Sequence, residues 1–339
     1  MKWNKKDLEE KLEIIEEKIK TVYSNDEIKY LKYEASLVKF MLFFIKSNET
    51  DEKIIADLNI TQSSEMAKAN FFNKYLSEIT KSFNFKDIMD FMGYYIFANV
   101  KVSSEEYLTL IEEFLEQFEM DLLSIYRDCN KENRINLTQT DYFKNRDGFN
   151  LYLPTFQKSY IYALSDGKIK KISILPHELT HAFQFQNFNH KQVHLATYSA
   201  LREALPLFVE LAFFDFLKNT KYYKIAYNNE IAFFDSLLLT QEYNYKFYVK
   251  SKKIEIKNNR LINNTGESAS IREASSYLSK ILAYYFINIY RNNRNNIKTI
   301  AEFNQYFGCS KEYDFFGSIK LEDLTFAIKA EANKCLTKK

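Results

Sequence analysis

The chain has 339 residues and a formal net charge of +2, with 46% hydrophobic and 27% charged residues, a composition that excludes a disordered or fibrous protein. Because its 47 Lys and Arg are interspersed with 45 Asp and Glu, no nucleic-acid partner is predicted. Aromatic residues reach 17%, whereas only 6 Gly and 3 Pro are present, and this scarcity of helix breakers favours long helices.

The cysteines and the apolar runs of the sequence indicate in which cellular compartment the protein is expected. The three cysteines, Cys129, Cys309 and Cys335, are scattered and form no CxxC pair, which argues against a disulfide framework or a thiolate zinc site. The first residues lack the apolar stretch of a secretory signal, and the best apolar runs are short or carry charges, so no membrane span is predicted. We therefore expect a cytoplasmic protein.

The first predicted element is an amphipathic helix. Its apolar positions fall at alternating steps of four and three residues: Leu8, Leu12, Ile15, Ile19 and Val22. The pattern is shorter than the heptad runs that identify a coiled coil. We therefore interpret it as one arm of a helical hairpin, and it predicts no oligomeric state.

A second helix is predicted to open at Ser103. Glu106 stands three residues later, as in a capping box, and apolar residues at helical spacing continue as far as Ile125. Residues 1–130 are accordingly predicted to form a helical N-terminal region.

The pattern changes between residues 131 and 168. Turn-forming residues surround alternating runs there, which predicts a small sheet containing a strand at 159–164 and a turn at Asp166 and Gly167. From about residue 174 the pattern is again helical, apart from a strand-prone stretch at 245–262. The prediction is a mainly α (α+β) fold in which 131–339 forms one region: the sheet, helices over 174–290 and a C-terminal helical segment.

Residues 177–181 read His-Glu-Leu-Thr-His, the HExxH pattern, directly after Pro176, which suits a first helical turn. Residues four apart share one helical face, so His177 and His181 can direct imidazole nitrogens at one Zn²⁺ ion. Glu178 can then act as general base, accepting a proton from the water that attacks a carbonyl. All four histidines of the chain fall between 177 and 194, which supports a local role for them.

A catalytic zinc site needs a third protein ligand. The metzincin pattern is excluded, because Asn187 and Gln184 stand where a histidine and a glycine would follow His181. His190 and His194 are possible ligands. The other source is a glutamate on the following helix, at 198–210.

That following helix contains an E-x6-E spacing, from Glu203 to Glu210. An HExxH pattern followed by such a helix resembles the glutamate-zincin metallopeptidases, most closely the thimet oligopeptidase and oligoendopeptidase F family, in a shortened form. The sequence at 177–182 is similar to the family's HELGHA core, with Thr180 in place of the usual glycine. Pro206 and a tyrosine-bearing segment at 277–283 also have counterparts in the family.

The resemblance implies a helical zincin-like fold with a small sheet beside the active-site helix, and a peptide as substrate. It implies that His177, His181 and Glu203 hold one Zn²⁺, with Glu210 as the alternative third ligand or as a hydrogen-bond partner of a ligating histidine. It also implies that Tyr277 stabilises the oxyanion.

Several alternatives remain open. Tyr284 and Arg272 are alternatives to Tyr277 as the group that stabilises the oxyanion. Asp215 is expected to be solvated or to cap its helix. The strand at 160–164 is expected either to pair with an extended substrate or to be an ordinary edge strand. The expected function is zinc-dependent hydrolysis of peptide bonds in oligopeptides or unfolded segments. The alternatives are a protease dedicated to one protein partner and a non-catalytic zinc-binding protein.

Overall fold

A computed structural model describes residues 2–46, 102–137, 147–164, 172–186, 200–249, 254–257, 260–266, 268–303 and 319–336. The predicted turn at 166–167, the two later histidines at 190 and 194, and Cys309 lie outside this set. The chain divides into two compact units, the first made of Met1–Thr61 with Lys101–Gln186 and the second of Gln62–Val100 with Asn187–Lys339. Helices predominate and two three-stranded sheets accompany them, which confirms the predicted mainly helical α+β fold. The boundary predicted near residue 130 stays a prediction.

The first unit opens with a helical hairpin, as predicted. Helix α1 (Lys5–Thr21) begins behind Asn4, whose side chain accepts hydrogen bonds from two backbone amides of the first turn, and helix α2 (Asn25–Lys46) packs along it. Their apolar faces belong to one buried cluster with the sheet residues Tyr160 and Tyr162. The hairpin therefore packs on the sheet of its own unit.

The helix predicted to run from Ser103 to Ile125 is two helices. Helix α3 (Ser104–Gln117) begins as expected, because the Ser103 hydroxyl accepts from the Glu106 amide at 3.1 Å. It ends before Phe118, whose backbone is extended, and helix α4 (Leu122–Lys131) follows. Phe118 and Met120 are buried at the bend, so apolar spacing continues through it without a Gly or Pro to mark it.

The sheet of the first unit contains β1 (Ile135–Asn136), β2 (Gly148–Leu153) and β3 (Lys158–Ala163) in the order β1-β3-β2. Strand β3 matches the predicted strand closely. It is parallel to β1 and antiparallel to β2, so it lies in the centre of the sheet.

The central position of β3 contradicts both expectations for residues 160–164. Antiparallel pairing with β2 occupies one side of β3. On the other side the Ile161 amide donates to the Arg134 carbonyl, the Arg134 guanidinium donates to the Ser159 carbonyl, and the Trp3 indole donates to the Ile161 carbonyl. The strand is therefore neither an edge strand nor a place where an extended peptide can add.

The last helix of the first unit is α5 (Ile174–Gln186). The second unit contains the remaining described elements. They are helices α6 (Ala200–Leu217), α7 (Tyr223–Val249), α8 (Ile271–Asn292), α9 (Ile297–Glu302) and α10 (Leu321–Leu336), and strands β4 (Ile254–Lys257), β5 (Arg260–Asn263) and β6 (Ser268–Ser270). Of the strand-prone stretch at 245–262, the described residues are helix up to Val249 and strand at 254–257 and 260–262. Helices α6 and α8 share an extensive apolar interface, in which Phe208 meets Phe286 and Tyr290 edge to face. Within the described residues, no helix is long and apolar enough to cross a membrane.

Candidate metal centre

The HExxH residues lie on α5, with Pro176 in its first turn as predicted. The rings of His177 and His181 have centroids 4.9 Å apart and are inclined at 77°, and the ring nitrogens that could bind a metal lie within 4.8 Å of each other. His177 is half-buried and His181 is buried. The two imidazoles therefore lie on one face of the helix, close enough to approach a single ion.

The sheet positions Glu178, the predicted general base. Asn150 on β2 donates its side-chain amide to the Glu178 carbonyl at 3.1 Å. Gly148 lies on the same strand, at a position where a side chain would collide with α5. A Cβ there would lie 2.4 Å from Ile174 Cγ2 and 2.9 Å from Glu178 Oε1. Glycine at 148 therefore allows β2 to approach the first two turns of α5 closely.

A buried hydrogen bond fixes the ring of His181. Its Nδ1 lies 3.0 Å from Oε1 of Gln184, and the two side chains are only 5% and 1% exposed. Phe185 lies beside the same imidazole at 6.4 Å between ring centroids and stacks on Tyr152 of β2 at 5.5 Å. Sequence reasoning used Gln184 only to exclude the metzincin pattern. The signal that could have identified it is a polar residue three positions from a histidine on the buried helical face.

Thr180, which replaces the glycine usual in the resembling family, is fully buried. Its hydroxyl donates to the Pro176 carbonyl one turn earlier, at 2.8 Å. The helix itself therefore satisfies this polar side chain, so the substitution places no unpaired hydroxyl in the core.

The glutamates predicted as third ligands, Glu203 and Glu210, lie on α6 in the second unit, and both are half-buried. Seven residues of helix separate them by about 10 Å along the axis, at about 1.5 Å per residue. That separation is too large for both to ligate one ion, so the two assignments exclude each other. Arg202 lies close to Glu203, with Nε 3.7 Å from Oε1.

Asp215, near the end of α6, is a half-buried, ion-paired carboxylate and not the solvated or capping residue expected from the sequence. It takes two hydrogen bonds from the Arg291 guanidinium, at 2.6 and 2.8 Å, and one from Lys218 at 2.6 Å. Arg291 also donates to Glu230 at 2.7 Å and to Glu331 at 2.6 Å. We call these residues, together with Lys334, the ion cluster. Its members come from α6 and the turn after it, and from α7, α8 and α10, so most of its contacts join residues far apart in sequence.

Two carboxyl groups of the ion cluster have pKa values shifted in opposite directions. Burial raises the pKa of Asp215, but the hydrogen bonds and charge of Arg291 and the charge of Lys218 outweigh it, so the pKa falls below its ordinary value. Burial raises the pKa of Glu331 above its ordinary value; the charge of Arg291 opposes this shift, and the neighbouring carboxylate of Glu230 adds to it. The surroundings therefore stabilise the ionised form of Asp215 and disfavour the ionised form of Glu331, relative to the same groups in water.

The aromatic residues proposed as oxyanion stabilisers lie on α8. Tyr284 is a core residue, whose ring meets those of Phe233 and Phe234 edge to face at 5.6 Å. Tyr277 is also fully buried, at 0% exposed. The Arg272 side chain lies outside what the structure describes. The role of Tyr277 stays a prediction.

Comparisons with known proteins identify similar folds. No family model matches the chain, and no curated protein matches its sequence. A structure described as an oligoendopeptidase F from Bacillus anthracis str. Ames aligns with 92% of this chain and 63% of its own length, at a TM-score of 0.51 and 13% identity. PZ peptidase A with an inhibitor aligns with 91% of this chain and 69% of its own length, at 0.53 and 11%. The chain thus spans about two thirds of these structures, and at such identities the likeness is one of fold.

Proposed function

We propose that this chain is a zinc-dependent metallopeptidase that hydrolyses peptide bonds in oligopeptides or unfolded segments. The observation that carries the proposal is the pair of histidines on α5, whose rings lie edge to face with centroids 4.9 Å apart, beside a buried glutamate. The fold likeness to two structures named as peptidases supports the same reaction class.

The donor set fits zinc. Two imidazoles on one helical face are the ligand arrangement of HExxH zinc sites, and neutral imidazole is a ligand that zinc accepts readily. We propose His177 and His181 as two ligands and Glu203 as the third, on the family spacing. When bound, zinc supplies a Lewis acid that polarises a peptide carbonyl and acidifies water.

The protein's own groups supply the remaining chemistry. Glu178 accepts the proton of the attacking water on a carboxylate oxygen and can deliver it to the departing amine. Its place is fixed by the close approach of β2, through Gly148 beside its side chain and Asn150 on its carbonyl. Tyr277 is proposed to donate a hydrogen bond to the oxyanion.

Cleavage mapping on a mixed peptide library tests the reaction class. Zinc-loaded wild type is compared with wild type plus chelator and with Glu178→Gln, which keeps the shape of the side chain but loses its basicity. We expect cleavage by the wild type alone. Zinc binding without cleavage of any peptide or protein would favour the non-catalytic zinc-binding protein, and cleavage of a single protein would favour the dedicated protease.

The third ligand is tested by metal content. Glu203→Ala and Glu210→Ala are loaded with zinc, dialysed and measured by mass spectrometry of the metal, with circular dichroism to verify folding. We expect loss of zinc only from Glu203→Ala. Loss only from Glu210→Ala would transfer the ligand role to Glu210, and retention by both variants would return His190 and His194 to consideration.

A further inference from the structure

The hydrogen bond between His181 and Gln184 determines which imidazole nitrogen carries a proton. A neutral imidazole has one N–H donor and one nitrogen with a lone pair, and the partner of one nitrogen fixes the role of the other. The atom 3.0 Å from Nδ1 is the Gln184 carbonyl oxygen Oε1, which is only an acceptor. With Oε1 as the acceptor, the hydrogen bond requires the proton on Nδ1, which leaves the lone pair on Nε2.

We propose that Gln184 is a positioning residue that holds His181 in its Nδ1–H form, so that Nε2 is the nitrogen offered to zinc. This inference rests on the proposed function. Burial makes the hydrogen bond effective, because both side chains are almost completely removed from solvent and water cannot readily replace the lost partner. The amide oxygen also orients the ring plane, since Oε1 must lie near the direction of the Nδ1–H bond.

Neighbouring rings support the same orientation. Phe185 lies at 31° to the His181 ring, and Tyr152 stacks on Phe185 at 15°. The His177 ring is nearly perpendicular to that of His181, at 4.9 Å between centroids. Rotation of the imidazole away from Gln184 would therefore disturb packed aromatic neighbours as well as break the hydrogen bond.

The neutral charge of Gln184 has a chemical consequence. Metal-ligating histidines often donate to a carboxylate, which raises the basicity of the imidazole. An amide oxygen accepts the same proton without adding a negative charge. The Nε2 lone pair of His181 is therefore expected to bind zinc less strongly here than with a glutamate at 184. Gln184→Glu is expected to bind zinc more tightly than wild type.

The test compares three variants. Gln184→Leu removes the acceptor at similar volume, Gln184→Glu replaces it with a charged acceptor, and Gln186→Leu is the matched control, because Gln186 is exposed at the end of the same helix. Imidazole ¹⁵N spectra of the metal-free proteins at about pH 8 report the tautomer of the neutral ring. Competition with a chromophoric chelator then measures the dissociation constant for zinc. Because the chain has only four histidines, His181 can be assigned by substitution.

We expect the Nδ1–H form in wild type, Gln186→Leu and Gln184→Glu, and loss of that preference in Gln184→Leu. Zinc binding by Gln184→Leu should weaken by about 10- to 100-fold, as for other partners of metal-bound histidines. An unchanged tautomer and an unchanged dissociation constant in Gln184→Leu would overturn the inference, and so would an Nε2–H form in wild type. If wild type binds no zinc, the proposed function fails, while the metal-free spectra still decide whether Gln184 fixes the tautomer.

Discussion

The two helices that carry the predicted zinc ligands are held in place by different interactions. Helix α5 contains Glu178 but no Asp, Lys or Arg. It is held in place by burial of apolar side chains and by the close approach of β2 at Gly148. Helix α6 packs on α8 through aromatic side chains and ends in the ion cluster around Arg291. Close packing responds to side-chain volume and hardly to pH, whereas a buried set of charges responds to pH and to the loss of any one partner.

The largest effect is expected from the centre of the ion cluster. Arg291→Met should lower the free energy of unfolding by about 3–5 kcal/mol, because it leaves buried Glu230 and Glu331, and half-buried Asp215, without their common partner. Urea denaturation at neutral pH measures the loss.

Arg294→Met is the matched control for this change. Arg294 is exposed, two residues beyond the end of α8, so its replacement should leave the unfolding free energy within about 0.5 kcal/mol of wild type. Similar losses in both variants would show that the ion cluster does not fix α6, and the contrast between the two helices would fail.

The opposite pKa shifts in the ion cluster give the next prediction. A lowered pKa contributes stability above the ordinary value of 3.8, and that contribution is lost as the pH falls through this region. Asp215→Asn should therefore be less stable than wild type at pH 7, by about 1.5–3 kcal/mol as expected for charge-assisted hydrogen bonds. The difference should shrink only as the pH falls below 3.8 towards the lowered pKa of native Asp215, because the unfolded chain takes up this proton first. Urea denaturation across this pH range measures both effects.

Glu331→Gln is the counterpart of Asp215→Asn, because its pKa shift has the opposite direction. A raised pKa contributes stability that is complete below the ordinary value of 4.5 and is lost as the pH rises. A permanently neutral side chain at 331 should therefore be at least as stable as wild type at pH 7, in contrast to Asp215→Asn. Equal losses in the two variants would show that the two carboxyl groups act alike, contrary to the opposite directions of their pKa shifts.

The close packing of β2 on α5 is tested by adding side-chain volume at Gly148. Gly148→Ala should cost about 1–3 kcal/mol, because the added methyl group meets Ile174 and Glu178 at less than 3 Å. It should also lower kcat by moving the proposed general base, with little change in the pH dependence of stability. Unfolding curves and peptide cleavage rates measure the two effects.

Gly266→Ala provides a control for the methyl group itself. No atom lies within 4 Å of the position where its Cβ would be built, although the backbone there has a φ of +82° that disfavours alanine. It should lose some stability and keep the full kcat. A normal kcat in Gly148→Ala would show that the close approach of β2 does not position Glu178.

Sequence reasoning found the features that local patterns encode. The amphipathic hairpin, the Ser103 cap, the strand near 159–164 and the helix bearing HExxH follow from periodicity, capping chemistry and spacing within a few residues. The HExxH face is likewise local, since residues four apart on a helix must be neighbours.

What could not be predicted depends on partners distant in sequence. Asp215 is 76 residues from Arg291, so the local sequence does not show that Asp215 pairs with this arginine. The central place of β3 depends on β1 and β2, and the role of Gly148 depends on a helix that begins 26 residues later. Such contacts are created by tertiary packing, which local patterns do not encode.

The smallest effect is expected at Asn150, the polar connection between β2 and α5. Its amide nitrogen donates to the Glu178 carbonyl, while its Oδ1 is buried and accepts no hydrogen bond from any described residue. Asn150→Leu therefore removes one favourable bond, worth about 0.5–1.5 kcal/mol, and one unfavourable buried oxygen, so the net loss should be below about 1 kcal/mol. Asn150→Asp should cost more, because it loses the donor and places a carboxylate near a carbonyl oxygen. If urea denaturation showed the reverse order, the polar contact would matter more than the packing around it, and the distinction drawn between α5 and α6 would weaken.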